Sequence, residues 1–299
     1  MSKKVIEINN LTKSYGLKKG VFDLSFDIHE NEVFGFIGPN GAGKTTTIRQ
    51  LLGFIYPDSG HATINGLDIY DDSDLIKKTL GYLPGEITFF DNLKGFEFLK
   101  LMADLRGLKD LTYMNELVIY FDLDLGSKIK KMSKGMKQKL GLVSCFMHDP
   151  KVLILDEPTS GLDPLMQKKF VDLILKEKEK GKTILMSSHS FEEVERTCDR
   201  VLMIKEGSLV VLEHISKLKE NMRKAYIVRF HDEWELCSFM KNNFTYHKNS
   251  QLEIEVIISG DVDELIKALS IYKIESIDIK KQTIEEVFMG YYKVGGSHE

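Results

Sequence analysis

Residues 33 to 55, VFGFIGPNGAGKTTTIRQLLGFI, constrain the fold more than any other stretch of the chain. A β-prone apolar run, VFGFI, breaks into glycine-rich sequence and then into a segment that reads as helix. Gly38 to Thr46, GPNGAGKTT, fits G-x-x-x-x-G-K-[ST] in the strand–turn–helix context that makes this spacing a phosphate-binding loop. Gly38, Gly41 and Gly43 let the backbone wrap with its N–H groups turned inward, a path that side chains would obstruct. Pro39, Asn40, Ala42 and Thr46 complete the loop. Lys44 supplies a positive charge for the β and γ phosphates, and Thr45 offers a hydroxyl to Mg²⁺. The helix that begins near Lys44 adds its N-terminal partial charge.

A second segment, VLILDEP at 152 to 158, reads as a buried strand that delivers two consecutive carboxylates at its end. Asp156 is expected to hold Mg²⁺, directly or through water, and Glu157 to polarise an attacking water as general base. Two acids after a strand mean little alone. Joined to the phosphate loop, they become a hydrolytic site.

Between these segments the pattern changes. LIKKTLGYLP reads as helix then strand, and from Asn92 to about Ser144 the chain turns helical, with Phe96, Leu99 and Met102 at helical spacing, as a helical insertion (about 87–150) in an α/β domain. Parallel-sheet character resumes with KVLILD, a helix around 164 to 180, KTILMSSH and RVLMIKEGSLVVLE. The expected domains are 1–216 and 217–299. The second reads βαββαβ plus a terminal helix in TIEEVFMGYY, compatible with a small ferredoxin-like unit, with Val262, Leu265, Ile266 and Leu269 on one helical face.

The motifs, in this order, resemble those of an ABC-type ATPase, the nucleotide-binding subunit of an ATP-binding-cassette transporter, over roughly residues 3 to 215. MSKGMKQK (132 to 139) resembles the family's signature segment, SGLD (160 to 163) its D-loop, SSHS (187 to 190) its switch histidine, and Tyr15 its adenine-stacking aromatic. The resemblance implies an α/β P-loop ABC ATPase domain, a RecA-like mixed sheet with a helical subdomain, followed by a small α+β domain. It implies that His189 touches the γ-phosphate and the lytic water. Ser133 and Gly135 would bind the nucleotide held by the opposite subunit, with Asp163 at that same interface, so that ATP closes a dimer. Three positions depart from the family pattern: Lys134 stands for the first glycine of the signature, Met136 for its glutamine, and Gly85, in GYLPGEITFF, for the Q-loop glutamine.

Composition bounds the alternatives. At 299 residues, 42% hydrophobic, 29% charged and a net charge of −4, the chain suits an ordinary two-domain globular protein, and bulk charge does not argue for nucleic acid. The longest apolar runs fall far short of the ~20 residues needed to cross a bilayer. No secretory signal is read at the N-terminus, and the three cysteines, with no CxxC pair, are expected to be buried free thiols. The expected function is the energising subunit of an exporter of drugs, peptides or lipids at the cytoplasmic face of the cell membrane. It would work with a polytopic membrane subunit and a second ATPase subunit, as homodimer or heterodimer. Apolar ITFF, Leu93 and FEFLKLM are candidate contact surface, and exporters of phenol-soluble modulins are among the candidate types. The competing class, a soluble ABC ATPase acting on DNA, ribosomes or repair complexes, would favour a heptad coiled coil, zinc spacing or a second cassette, none of which is found. A switch GTPase is disfavoured by the lack of an NKxD segment.

Overall fold

The computed structural model describes residues 3–17, 19–220, 224–258, 262–281 and 283–288. The chain divides into two compact units, Met1–Ile215 and Ser216–Glu299.

The first unit runs β1 (Lys4–Ser14), β2 (Gly20–His29), β3 (Val33–Ile37), α1 (Lys44–Leu51), β4 (Ser59–Ile64), β5 (Leu67–Asp68), α2 (Ser73–Thr79), β6 (Leu80–Leu83), α3 (Gly95–Leu105), α4 (Thr112–Tyr120), α5 (Lys134–Phe146), β7 (Val152–Asp156), α6 (Pro164–Glu179), β8 (Thr183–Ser188), α7 (Phe191–Thr197), β9 (Arg200–Lys205) and β10 (Ser208–His214). An antiparallel sheet has the order β2-β1-β4-β5; a second, larger sheet has the order β10-β9-β3-β8-β7-β6. In the larger sheet only the β10–β9 pair is antiparallel. Strands β3, β7 and β8 are buried along their whole length, which is why they read as unbroken apolar runs and not as alternating ones. Because β8 lies between β3 and β7 and all three are parallel, the segments that follow them emerge side by side. That is the end of an open α/β sheet where ligands collect.

Helices α3, α4 and α5 follow β6. Helix α5 starts on a sequence-encoded cap: the Ser133 hydroxyl accepts from the Met136 N–H at 3.2 Å. In α3 the buried side chains are Phe98, Leu99 and Ala103, whereas Phe96 is 51% exposed. The expected Phe96–Leu99–Met102 face is therefore rotated. GFEFLKLMADL is apolar on two overlapping faces, and periodicity alone does not choose between them. The segment before α3 alternates: Phe89 packs edge-on against Phe98 and Ile87 meets Gly141 of α5, while Phe90 is exposed. Helix α4 docks on α6 through two tyrosines. The Tyr113 hydroxyl donates to Glu177 Oε1 at 2.8 Å, and the Tyr120 hydroxyl donates to the Lys169 carbonyl while Lys169 Nζ donates to the Tyr120 carbonyl, both at 2.8 Å.

Helix α8 (Ile215–Glu220) starts at the boundary, and the second unit continues β11 (Lys224–Phe230), α9 (Glu233–Phe239), β12 (Thr245–Lys248), β13 (Glu253–Ile258), α10 (Asp263–Leu269) and β14 (Ile274–Lys281). Its sheet order is β12-β13-β11-β14, every neighbour antiparallel, which is the split βαβ arrangement. Val228, Phe230, Leu236, Phe239, Ile254, Val256, Leu265 and Leu269 form its core. Ile266 is 55% exposed, so only part of the expected α10 face turns inward. Residues 284–288 are helical, with Ile284 and Phe288 buried; Met289 to Tyr292, the rest of the expected terminal helix, lie outside the described residues. Cys145 and Cys198 are buried free thiols, but Cys237 is exposed, against expectation, on the outer side of α9. Among the described residues no helix is long and apolar enough to cross a membrane.

Candidate active site

The turn after β3 takes its shape from glycine at two positions. A Cβ on Gly38 would lie 2.4 Å from the Ile204 carbonyl oxygen, so the loop can approach β9 only without a side chain. Gly43 sits at φ 115°, and its Cβ would meet Val21 at 3.0 Å and the Gly20 carbonyl oxygen at 3.1 Å. The loop then enters α1, where Lys44 is buried. Its ammonium donates to the carbonyls of Gly38 at 2.7 Å and Pro39 at 3.3 Å, and lies 3.8 Å from Glu157 Oε1. Burial lowers the lysine pKa from its ordinary range, opposed by Glu157 and Asp156. These carbonyls satisfy the buried cation and hold it over the loop.

Asp156 ends β7 only 1% exposed, with a hydroxyl on each carboxylate oxygen: Thr45 donates to Oδ2 at 2.8 Å and Ser187 to Oδ1 at 2.5 Å. A buried carboxylate needs such donors. The next residue, Glu157, adopts φ 48°, a left-handed conformation that costs a non-glycine residue free energy. Its N–H is held by the Ser187 hydroxyl at 3.0 Å and the Ser187 carbonyl at 3.2 Å, which fixes that turn. The two adjacent acids thereby play different parts: Asp156 is locked beneath the loop, and Glu157 turns up to Lys44. His189, exposed on the turn after β8, brings Nδ1 within 3.8 Å of Glu157 Oε2.

The resulting cleft is lined by Asn40, Gly41, Gly43, Lys44, Thr45, Thr46, Arg49, Tyr82, Pro84, Gly85, Glu86, Asp156 and Glu157. Gly85 lies directly against Asp156; a Cβ there would stand 3.3 Å from Oδ2. A divalent cation suits this donor set, because the Thr45 hydroxyl and the Asp156 carboxylate converge at one point of the cleft.

Of the residues singled out from sequence, Lys44, Thr45, Asp156 and Glu157 come together here, and His189 touches Glu157. Pro39 enters through its carbonyl, on Lys44, and Ala42 is buried in the loop behind. Tyr15, Ser133, Gly135 and Asp163 do not line the cleft. Tyr15 is 54% exposed; Ser133 caps α5, and Asp163 caps α6 by accepting from the Met166 N–H at 3.0 Å.

Sequence reading passed over Ser187, which fastens both acids, and Glu193 on α7. Glu193 is buried, accepts from Ser188 Oγ at 2.5 Å and Thr159 Oγ1 at 3.3 Å, and leaves Oε1 without a partner. Burial pushes its carboxyl up to about 7, with Glu157 adding to the rise. Ser187 stands in the quoted SSHS, so its position was visible although its task was not.

Residues 21–160 match the family described as ABC transporter. An uncharacterised ABC transporter ATP-binding protein of Methanocaldococcus jannaschii is 35% identical, over 92% of this chain and 98% of that protein. The bacitracin transport ATP-binding protein BcrA of Bacillus licheniformis is 34% identical, over 94% of each chain. Among solved structures, an ATP-binding subunit of an ABC transporter superposes with a TM-score of 0.67 at 31% identity, over 72% of this chain and 92% of that one.

Proposed function

Because this chain belongs to the ABC transporter family, as an ATP-binding and ATP-hydrolysing subunit, we propose that Lys44, Thr45, Asp156, Glu157 and His189 form its hydrolytic centre and that it energises an exporter. The convergence of the loop and the two acids, read in the Thr45–Asp156 bond and the Lys44–Glu157 approach, carries this reading.

On ATP binding Lys44 exchanges the Gly38 and Pro39 carbonyls for β and γ phosphate oxygens, and the loop N–H groups from Asn40 to Thr46 close around them. Thr45 and Asp156 would hold Mg²⁺, which when bound neutralises phosphate charge. Glu157 takes a proton from the water that attacks the γ-phosphorus, and ADP leaves as the bond to the β-phosphate oxygen breaks. His189, beside Glu157, orients that water and the γ-phosphate. Tyr15 stacks on adenine, a contact worth about 1 kcal/mol.

Ser133, Gly135 and Asp163 stand outside the cleft, which supports their serving the nucleotide of an opposite subunit. Two chains, or this chain and a second ATPase, then close on ATP and reopen on hydrolysis beneath a separate polytopic membrane subunit, at the cytoplasmic face of the membrane. Exposed Phe90 and Phe96 offer that subunit apolar surface. Similarity to a bacitracin transport protein supports drug or peptide cargo, the class to which phenol-soluble modulins belong. The second unit helps pair the ATPases.

Lys44→Ala should weaken ATP binding at least tenfold. Glu157→Gln should keep binding while turnover falls on the order of a hundredfold or more, the scale of a lost general base. Equilibrium nucleotide binding and phosphate release measure the two; normal turnover by Glu157→Gln would defeat the general-base role. Recovery with a polytopic membrane protein tests the exporter reading, and stable association with ribosomes or DNA without one would replace it.

A further inference from the structure

Lys134, the residue that departs from the glycine of the family's signature, is solvent-exposed yet folds back onto the turn that follows β7. Its Nζ donates to Ser160 Oγ at 3.0 Å. Its stem lies over Gly161, where an added Cβ would meet Lys134 Cγ and Cδ at 2.9 Å and Cε at 3.1 Å. Gly161, at φ 78°, leaves room for those methylenes. Beside them the backbones touch: a Cβ on Gly135 would stand 2.9 Å from the Gly161 carbonyl oxygen.

One turn along the same face of α5, Gln138 Nε2 donates to the Pro158 carbonyl at 2.8 Å. Helix α5 thus grips residues 158–161 at two points four residues apart. The gripped turn closes on the general base, since the Ser160 N–H donates to the Glu157 carbonyl at 3.1 Å. From its other side Thr159 bonds Glu193, which bonds Ser188 next to His189.

We propose that Lys134 is a positioning residue that couples the two nucleotide sites of an ATPase pair, by fastening the start of α5 to the turn that carries Glu157. The inference rests on the two-subunit reading above, in which the start of α5 serves the opposite subunit's nucleotide while Glu157 serves the chain's own. Nucleotide met by Ser133 and Gly135 then sets the position of Glu157 in the same chain. Gln138 holds the turn through the Pro158 and Glu157 carbonyls, and Lys134 adds a second point of attachment four residues earlier.

Full-length wild type, K134M, K134R and K134G are compared in ATP hydrolysis as a function of ATP concentration, and E157Q in size exclusion with and without ATP. K134M keeps the stem and loses the ammonium; K134R keeps a donor. E157Q should dimerise on ATP, and wild type should hydrolyse with a Hill coefficient approaching 2, about one per site. K134M and K134G should bring that coefficient toward 1 and lower turnover about fivefold, the low end of intersite coupling, with KM changed less than about twofold. K134R should retain most of the cooperativity. If E157Q dimerises while K134M and K134G keep the wild-type Hill coefficient, or if K134R behaves like K134M, the coupling role of Lys134 is overturned and the two-subunit reading stands. If E157Q stays monomeric with ATP, the two-subunit reading falls and takes the proposal with it.

Discussion

At the scale of single residues, the chemistry concentrates where the backbone and the burial are least comfortable. Glu157 occupies a left-handed conformation, and Glu193 keeps an unpartnered oxygen in the interior one turn from His189. Glu193 titrates near 7 in the folded chain, above the ordinary 4.5, so the folded state holds a proton that the unfolded chain releases between those values. Its contribution to stability falls as pH rises through that window and is lowest above pH 7, by on the order of 3 kcal/mol. Glu193→Gln keeps the acceptor for Ser188 and removes the titration. Its melting temperature should exceed wild type by about 6–12 °C at pH 8, about 2–4 °C per kcal/mol for a chain of this size, and the gap should close as pH falls to about 4, below the unfolded value. A gap that is the same at both pH values would show that burial does not hold the proton. At this scale the sequence announces what a contiguous motif can encode. Gly38 to Thr46 and Asp156–Glu157 were legible because backbone path and chemistry share one short segment. Gln138 was not, because its partner Pro158 lies 20 residues away on another element.

At the scale of elements, strand identity was legible and helix orientation was not. Buried strands β3, β7 and β8 have no polar face, so their apolar runs are unambiguous. Helices α3 and α10 carry more apolar residues than they bury, and Phe96 and Ile266 turn outward because packing partners decide the face. Tyrosines i and i+7 on α4 settle its docking on α6, a pairing with no trace in either sequence alone. Glu177 is fully buried and takes Lys180 at 2.7 Å, Lys182 and Tyr113. Burial raises its carboxyl, but these three donors outweigh that and leave it below the ordinary range. Tyr113→Phe removes a donor from this charged, buried group and should cost about 1.5–3 kcal/mol, whereas Tyr120→Phe removes a bond to a backbone carbonyl and should cost about 0.5–1.5 kcal/mol. Urea unfolding of both variants measures the order; a Tyr120→Phe loss equal to or larger than that of Tyr113→Phe would contradict the assignment of charge to the α4–α6 contact.

At the scale of the whole molecule, two-unit organisation follows from each unit having its own core. Every residue that lines the candidate cleft belongs to Met1–Ile215, while Val228, Phe230, Leu236 and their neighbours close a separate core in Ser216–Glu299. The alternation of strand and helix after residue 217 made the second topology readable, since a split βαβ needs only six elements in order. Its task was not readable, because the residues that build its core are the apolar ones any such unit requires. The pairing role proposed for the second unit is therefore separable from nucleotide binding by truncation. A chain cut after Glu220 keeps α8 and the entire cleft and should bind ATP within about twofold of the full chain, since no lining residue is removed. With Glu157→Gln in both backgrounds, the truncated protein should need at least about tenfold higher concentration to dimerise on ATP, equivalent to about 1.4 kcal/mol of lost association. Sedimentation across a concentration series reads this directly. Unchanged dimerisation, with ATP binding intact, would remove the second unit from the pairing of the ATPases and leave it a regulatory element or a contact for the membrane subunit.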